Sequence, residues 1–145
     1  MTDFGLVKFI KNQKSAKTFC GTIEYLSPER ILDRGCTRAG DWWGLGIIIY
    51  EMLFGKPPFY SQNQQKMMKK TILEKLKFSN KIQVSEDAKD LLLNLLKKSP
   101  VNRLGTKSGI LEFMNHRWFK NFDWGKLLNK NISPLYKPLS KEFQW

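Results

Sequence analysis

Apolar residues are concentrated in the middle of the chain, where few polar side chains interrupt the run Trp42–Phe54. The pattern predicts a long helix from roughly Thr37 to Phe54 that is apolar on nearly every face, which is typical of a helix surrounded by protein. Gly55 favours the end of this helix, and Pro57 and Pro58 prevent its continuation.

Three further helices are predicted after the central one. The first is a more polar helix over Gln62–Leu76. Ser85 is a favourable N-cap for the next helix, whose apolar residues recur at helical spacing: Ala88, Leu91, Leu92, Leu95 and Leu96. A short helix is predicted over Gly109–Asn115.

The two ends of the chain have little helical periodicity. The pattern over Met1–Arg34 predicts an extended loop with a short helix after Pro28. The chain from Phe122 onward is expected to be extended, because Pro134 and Pro138 resist helix formation. No strand pattern is strong anywhere in the sequence. The predicted fold class is therefore mainly α, with one long central helix.

The composition fits a single globular domain with a strongly basic surface. The chain has 145 residues, 41% of them hydrophobic, and 25 Lys plus Arg against 13 Asp plus Glu give a net charge of +12. Such a surplus is found in proteins that bind nucleic acid or anionic membranes. The lysines are scattered from Lys8 to Lys141, however, and this also suits a solvated surface.

Cysteine usage points to a reducing, intracellular compartment, cytoplasmic with the nucleus as an alternative. Cys20 and Cys36 form no C-x-x-C pair, and the single histidine, His116, cannot complete a zinc site. No signal peptide is predicted at the start. The apolar run Trp42–Phe54 contains Glu51 and is shorter than the about 20 residues that cross a bilayer, so no transmembrane segment is expected.

A set of motifs in fixed order carries the chemical information. Asp3-Phe4-Gly5 places a carboxylate, suited to magnesium, before a glycine that permits a sharp turn. The segment Thr18–Glu29 reads T-F-C-G-T-I-E-Y-L-S-P-E. Five more motifs follow along the chain: Asp41–Gly46, Tyr50–Met52, Gly55–Phe59, Asn102–Gly105 and His116–Phe119. Pro134–Pro138 completes the series.

These motifs resemble the AGC group of serine/threonine protein kinases, and the resemblance covers essentially the whole chain. It implies the C-terminal helical lobe of the protein kinase-like fold, in incomplete form. Residues 1–119 would be a partial kinase domain, with an activation segment over 3–29 and a helical lobe over 30–119. Residues 120–145 would begin the C-terminal tail of this group.

The resemblance implies a nucleotide role and an activation role for the first residues. Asp3, together with Phe4 and Gly5, would hold the magnesium ion that bridges the phosphates of ATP. Thr18 would be phosphorylated by an upstream activating kinase, and Lys8 matches a position that contacts this phosphate. A phosphate of about −1.5 to −2 charge can order a loop against nearby cations.

A substrate-docking loop is also implied by the resemblance, formed by Gly21, Thr22, Glu24 and Tyr25. Glu24 and Glu51 match carboxylates that accept substrate arginines, so the expected partners are proteins with basic residues near the target Ser or Thr. Glu51 also lies within an otherwise apolar helix, where a charged side chain is unfavourable unless it forms an ion pair or faces a cleft. The alternative for Glu51 is an internal salt bridge.

The remaining matched residues are expected to be structural. Glu29 and Arg103 match an ion pair that ties the docking loop to the helical lobe. Asp41 matches a carboxylate that binds the backbone of the catalytic loop. His116 is expected to be a core or capping histidine, and Cys20 a buried cysteine.

The sequence departs from the family pattern at several points. Ile23 replaces a proline, and Ser27 replaces an alanine, in the docking segment. The sequence contains no Gly-rich loop, no ATP-anchoring lysine with its glutamate, and no H-R-D-x-x-x-x-N loop, so no catalytic base is expected and the isolated chain should be inactive. Because the central helix packs in the family against elements preceding D-F-G, we expect the chain to be aggregation-prone or partner-dependent.

Three hypotheses of function remain open from the sequence. The chain is a portion of an active kinase, or a non-catalytic interaction module or relic derived from one, or a basic protein that binds nucleic acid or membranes. Only the net charge supports the third, since no nucleic-acid motif is present. Binding of a basic peptide without ATPase activity would favour the second.

Overall fold

The computed structural model describes residues 22–35 and 37–136. Within them the chain is helical and forms no strand. The six α-helices are α1 (Pro28–Ile31), α2 (Arg38–Phe54), α3 (Gln64–Leu73), α4 (Glu86–Leu95), α5 (Ile110–Met114) and α6 (Trp124–Leu128). Short 3-10 turns occupy Ile23–Tyr25, Pro100–Asn102 and Arg117–Phe119. The mainly α fold predicted from the sequence is confirmed.

The central helix α2 has its predicted ends. The Thr37 side chain accepts a hydrogen bond from the Ala39 amide and caps the N-terminus. Gly55 ends the helix in a left-handed conformation with φ 78°, and its amide donates to the Glu51 carbonyl. Only glycine adopts this conformation without strain, which explains the stop before the two prolines.

Helices α2 and α4 form the core of the fold. Leu91, Leu92 and Leu95 of α4 are fully buried, as are Trp43 and Ile47 of α2. The helices approach closely because Gly46 of α2 has no side chain: a Cβ there would lie 2.9 Å from Leu95 Cβ. An aromatic cluster extends the core toward the C-terminus, made of Phe113, Phe119, Phe122 and Trp124.

One side of α2 is exposed, in agreement with the expectation that the central helix lacks some of its packing partners in this chain. Ile48 is 46% exposed and Met52 is 81% exposed. A Cβ on Gly44, one turn before Ile48, would meet nothing within 4 Å. The helix is therefore buried on part of its circumference only, because α4 and the residues around Phe59 cover it from the other side.

Three helix boundaries differ from those predicted. Helix α3 is shorter than Gln62–Leu76, since Asn63 caps it and Glu74 is already extended. Gly109 precedes α5 rather than beginning it. The chain after Phe122 is not wholly extended: Asp123 caps α6 by accepting a hydrogen bond from the Lys126 amide at 2.9 Å.

No helix in the described segments is both long and apolar enough to cross a membrane.

Candidate functional site

A tight turn begins the described part of the chain. The Tyr25 amide donates to the Thr22 carbonyl and the Leu26 amide to the Ile23 carbonyl, both at 3.1 Å, which closes a single 3-10 turn. The chain then enters α1 at Pro28, whose fixed φ suits the first position of a helix. This turn holds Glu24 and Tyr25 at the surface while the following residues are buried.

The side chain of Tyr25 joins this turn to the central helix. Its hydroxyl donates a 2.7 Å hydrogen bond to Oε2 of Glu51. The hydrogen bond to the Glu51 carboxylate raises the pKa of Tyr25 above its ordinary value, with smaller contributions from burial and from the negative charges of Glu51 and Glu24. Because ionisation of Tyr25 is disfavoured, the phenol remains a donor and fixes the orientation of Glu51.

Glu24 lines an open polar cleft between the turn and α3. The cleft has a volume of about 400 Å³ and is lined by Thr22, Ile23, Glu24, Tyr60, Ser61, Gln62, Gln64 and Met67. Neither Glu24 nor Glu51 forms an ion pair with any residue of the described segments. Two carboxylates thus lie near one turn with capacity to accept hydrogen bonds from cationic groups.

A buried ion pair anchors α1, the helix that follows the turn. Arg103 is 1% exposed and donates from Nη1 to Oε1 of Glu29 at 2.7 Å and from Nη2 to Oε2 at 2.8 Å. Nη1 also donates to the Ala39 carbonyl and Nε to the Lys97 carbonyl. Burial opposes ionisation of Glu29, but the hydrogen bonds and charge of Arg103 outweigh it and hold the pKa of Glu29 below its ordinary value.

Asp41 lies in the first turn of α2 and is exposed. Desolvation by the surrounding protein raises its pKa above the ordinary value. Within the described segments its carboxylate has no hydrogen-bond or ion-pair partner, so its expected contact with another backbone segment stays a prediction.

Comparison with known proteins defines the family. The protein kinase domain profile matches residues 1–119. The serine/threonine protein kinase YPK1 of Saccharomyces cerevisiae is 47% identical over 139 residues, which cover 95% of this chain and 20% of the relative. The serine/threonine protein kinase ypkA of Aspergillus fumigatus is 45% identical over 139 residues, covering 95% and 22%. The RAC-beta serine/threonine-protein kinase of Homo sapiens is 44% identical over 140 residues, covering 95% and 29%.

The chain belongs to the protein kinase family. Its relatives are AGC serine/threonine kinases, and the helical architecture agrees with the helical lobe of a kinase domain. Protein kinases use ATP and Mg²⁺ and act on protein substrates. The chain spans between a fifth and three tenths of the length of these three relatives.

Several predicted kinase residues lie outside the described segments. They are the nucleotide and metal candidates Asp3, Phe4 and Gly5, the activation pair Lys8 and Thr18, the docking residue Gly21, and both cysteines, Cys20 and Cys36. Among the described residues no group of three or more His, Cys, Asp or Glu side chains could hold a metal ion. The assignment of a magnesium site to Asp3 stays a prediction.

The structure brings the described candidates together in two layers. Thr22, Glu24, Tyr25 and Glu51 lie at the surface around the first turn, and Glu29 and Arg103 lie beneath it. His116 is distant from them: it accepts a hydrogen bond from the Trp118 amide through Nδ1 and contacts Asp90 through Nε2 at 3.1 Å. This agrees with a capping histidine.

Sequence reasoning missed Lys98, which lies half-buried between α2 and α3. Its Nζ lies 3.7 Å from the ring centre of Phe59 and 5.1 Å from that of Trp43. It donates to the Thr71 carbonyl at 2.6 Å. In the sequence, Lys97 and Lys98 form a basic end to a helix, as is common for solvated lysines, so no local signal distinguishes the buried lysine from its neighbour.

Sequence reasoning predicted Glu24 as a docking residue but did not predict all the residues that line the cleft beside it. Its far wall comes from Tyr60, Ser61 and Gln62, which follow the Gly55–Phe59 motif. Their position opposite Glu24 depends on how α2 turns into α3 and not on any local pattern.

Proposed function

We propose that this chain is a portion of a serine/threonine protein kinase that transfers the γ-phosphoryl group of ATP to Ser or Thr residues of proteins. In this proposal residues 1–119 form part of the kinase domain and residues 120–145 begin the C-terminal tail. The described residues supply the surface on which the protein substrate docks. We further propose an intracellular, cytoplasmic location, which suits the absence of a disulfide framework in the sequence.

The hydrogen bond between Tyr25 and Glu51 is the observation that supports the docking role best. It fixes one oxygen of Glu51 at 2.7 Å and leaves the carboxylate able to accept further hydrogen bonds. A carboxylate held in this way matches the planar, multi-donor guanidinium of arginine. The proposed substrates are proteins with basic residues near the target hydroxyl.

Glu24 would extend this recognition into the cleft. It lies next to Tyr25 in the same turn, and hydroxyl and amide side chains line the cleft around it. Such groups can bind the remaining donors of a cationic side chain or the backbone of a peptide. Two separated carboxylates would favour substrates with more than one basic residue.

The nucleotide and activation roles are proposed for residues outside the described segments. Asp3 would hold Mg²⁺, with Phe4 and Gly5 completing the motif, and the ion would neutralise charge on the phosphates of ATP. Thr18 would receive a phosphate from an upstream kinase, with Lys8 as a cationic partner. Gly21 and Thr22 would continue the docking loop. Asp41 would hold the catalytic loop.

A peptide-binding experiment tests the docking proposal. A fluorescent peptide with two arginines N-terminal to a serine is titrated into the chain, and a peptide with citrulline in place of arginine serves as the uncharged reference. Glu51→Gln and Glu24→Gln should each weaken binding of the arginine peptide by about three- to tenfold, because a charge-assisted contact is lost. Neither change should alter the weak binding of the citrulline peptide.

Glu86→Gln is the matched control, since it removes an exposed carboxylate on α4, paired with Lys89. It should leave binding of the arginine peptide unchanged. Equal losses in all three variants would show that net charge alone attracts the peptide and would reject the docking site.

A non-catalytic interaction module is the second candidate. It is favoured by the hydrogen bond between Tyr25 and Glu51, because a carboxylate oriented in this way could bind basic segments without any phosphoryl transfer. Transcript sequence upstream of the Met1 codon separates the two. An in-frame H-R-D loop and Gly-rich loop would support a kinase portion, whereas a stop codon directly upstream would favour the module.

A further inference from the structure

One side of α3 carries a continuous basic face. Four residues share it at i, i+3, i+4 and i+7 spacing: Lys66, Lys69, Lys70 and Leu73. The opposite side of the helix is fixed to the protein, since Met67 and Thr71 are buried. The basic face therefore has one orientation relative to the fold and points away from the core.

These residues line a shallow groove of about 740 Å³ with Asn63, Gln65 and Glu74, here called the α3 groove. Lys66, Lys69 and Lys70 form no ion pair with any residue of the described segments. Lys70 donates to the Tyr60 carbonyl at 3.3 Å. Leu73 is 68% exposed at one end of the groove. The groove thus combines unneutralised positive charge with an apolar contact point.

We propose that the α3 groove binds an acidic linear segment of a partner protein, with carboxylates at Lys66 and Lys69 and an apolar side chain on Leu73. Charge complementarity favours such a ligand, because Glu74 is the groove's single acidic residue against three lysines. The Gln65 amide offers both a donor and an acceptor to a peptide backbone, and the Asn63 side-chain NH2 offers a donor, since its Oδ1 accepts from the Lys66 amide.

Other anionic partners fit this groove less well. A bilayer surface would need several apolar residues able to enter the lipid, and Leu73 is the exposed apolar side chain of the groove. Single-stranded nucleic acid binds by base stacking on aromatic side chains, and none lines the groove. A peptide needs only the charges, the amides and one apolar contact.

The α3 groove is separate from the cleft beside Glu24. That cleft is lined by Gln64 and Met67, while the groove is lined by Gln65, Lys66 and Lys69, so the two flank α3. Their charges are opposite, and they would accept peptides of opposite charge. The inference therefore does not depend on the proposed kinase function.

Fluorescence anisotropy with a defined probe tests the inference. The probe is a labelled ten-residue peptide with five glutamates and one central leucine, and the reference peptide has glutamine in place of each glutamate. Against the complete 145-residue chain in about 0.1 M salt, where the screening length is about 10 Å, the acidic peptide should bind at least tenfold more tightly. Lys66→Glu/Lys69→Glu should abolish this preference, and Leu73→Ser should weaken binding of the acidic peptide by about threefold.

Lys81→Glu/Lys120→Glu is the matched control, because it makes the same change in net charge at two exposed lysines outside the groove. It should change the affinity less than twofold, with unchanged circular dichroism in all variants. An equal loss in this control would overturn the proposal, as would equal affinity for the two peptides. Tighter binding to vesicles containing phosphatidylserine or to single-stranded DNA, lost in Lys66→Glu/Lys69→Glu, would assign the groove to that ligand and also overturn it.

Discussion

Arg103 holds Glu29 through two parallel hydrogen bonds of 2.7 and 2.8 Å, although 74 positions separate these residues in the sequence. Arg103 also donates to the carbonyls of Ala39 and Lys97, so one buried guanidinium joins α1, the start of α2 and the segment that follows α4. The arrangement satisfies the bidentate geometry that makes arginine suitable for buried carboxylates. It anchors α1, which follows the candidate docking turn in the chain.

Removing the charge of Glu29 should destabilise the chain strongly. Glu29→Gln leaves Arg103 buried without its counter-ion, and breaking a buried pair on one side costs about 3–5 kcal/mol. The free energy of unfolding, measured by urea denaturation, should fall by this amount. Glu86→Gln, which breaks the exposed pair with Lys89, should cost less than about 1 kcal/mol. Equal effects would mean that the buried pair does not anchor the fold.

The same pair predicts a dependence of stability on acidic pH. Because Arg103 holds the pKa of Glu29 below its ordinary value of 4.5, the folded state binds fewer protons than the unfolded state near that pH. The contribution is fully present above pH 4.5 and is lost as pH falls through the folded pKa. Urea denaturation at a series of pH values should show this decline in the native chain, and Glu29→Gln should flatten it. An unchanged slope in the variant would contradict the assignment.

Lys98 predicts a second rise of stability with pH, this time in alkaline solution. Burial lowers its pKa to about 8 from 10.5, outweighing the favourable charge of Glu74. Between these two values the unfolded state binds more protons than the folded state, so the free energy of unfolding should rise with pH by at most about 1.4 kcal/mol per unit. Below pH 8 and above pH 10.5 this contribution should be constant.

Lys98→Met should remove this rise in the free energy of unfolding. The methionine side chain still covers Phe59 and Trp43, but it carries no group that binds or releases a proton. Lys97→Met, at the exposed neighbouring position, should retain it. A rise that survives in Lys98→Met would assign the titration to another group.

Local sequence signals account for most of the helices but not for what surrounds them. Helix α2 could be predicted because an apolar run ends at Gly55 and two prolines, and α4 because Ser85 caps a helix with a leucine face. Helix α6 was wrongly predicted as extended: the Asp123 cap is a local signal that the prediction overlooked, and the packing of Trp124 on Phe119, with ring centres 5.0 Å apart, is a contact made by the fold. The burial of Lys98 likewise depends on which helices come to lie nearby.

Two glycines in α2 should respond in opposite ways to the same substitution. Gly46→Ala places a methyl group 2.9 Å from Leu95 Cβ and Leu96 Cδ2, and such overpacking costs about 1–3 kcal/mol. Gly44→Ala meets nothing within 4 Å and should stabilise the helix by up to about 1 kcal/mol through its higher helix propensity. Thermal unfolding should therefore shift down for the first and up for the second. A shift in the same direction would contradict the close packing of α2 on α4.

The exposed apolar side of α2 should make the chain self-associate. Ile48 and Met52 lie one turn apart beside Gly44, and adjoining exposed apolar residues favour association. Sedimentation velocity at rising protein concentration should show species larger than a monomer, and Ile48→Lys/Met52→Lys should shift the population toward monomer. Leu128→Lys is the control, at a residue that is 77% exposed on α6. It should change the fraction of associated species little. A native chain that is monomeric at all concentrations and melts cooperatively would show that this side of α2 is stable in water.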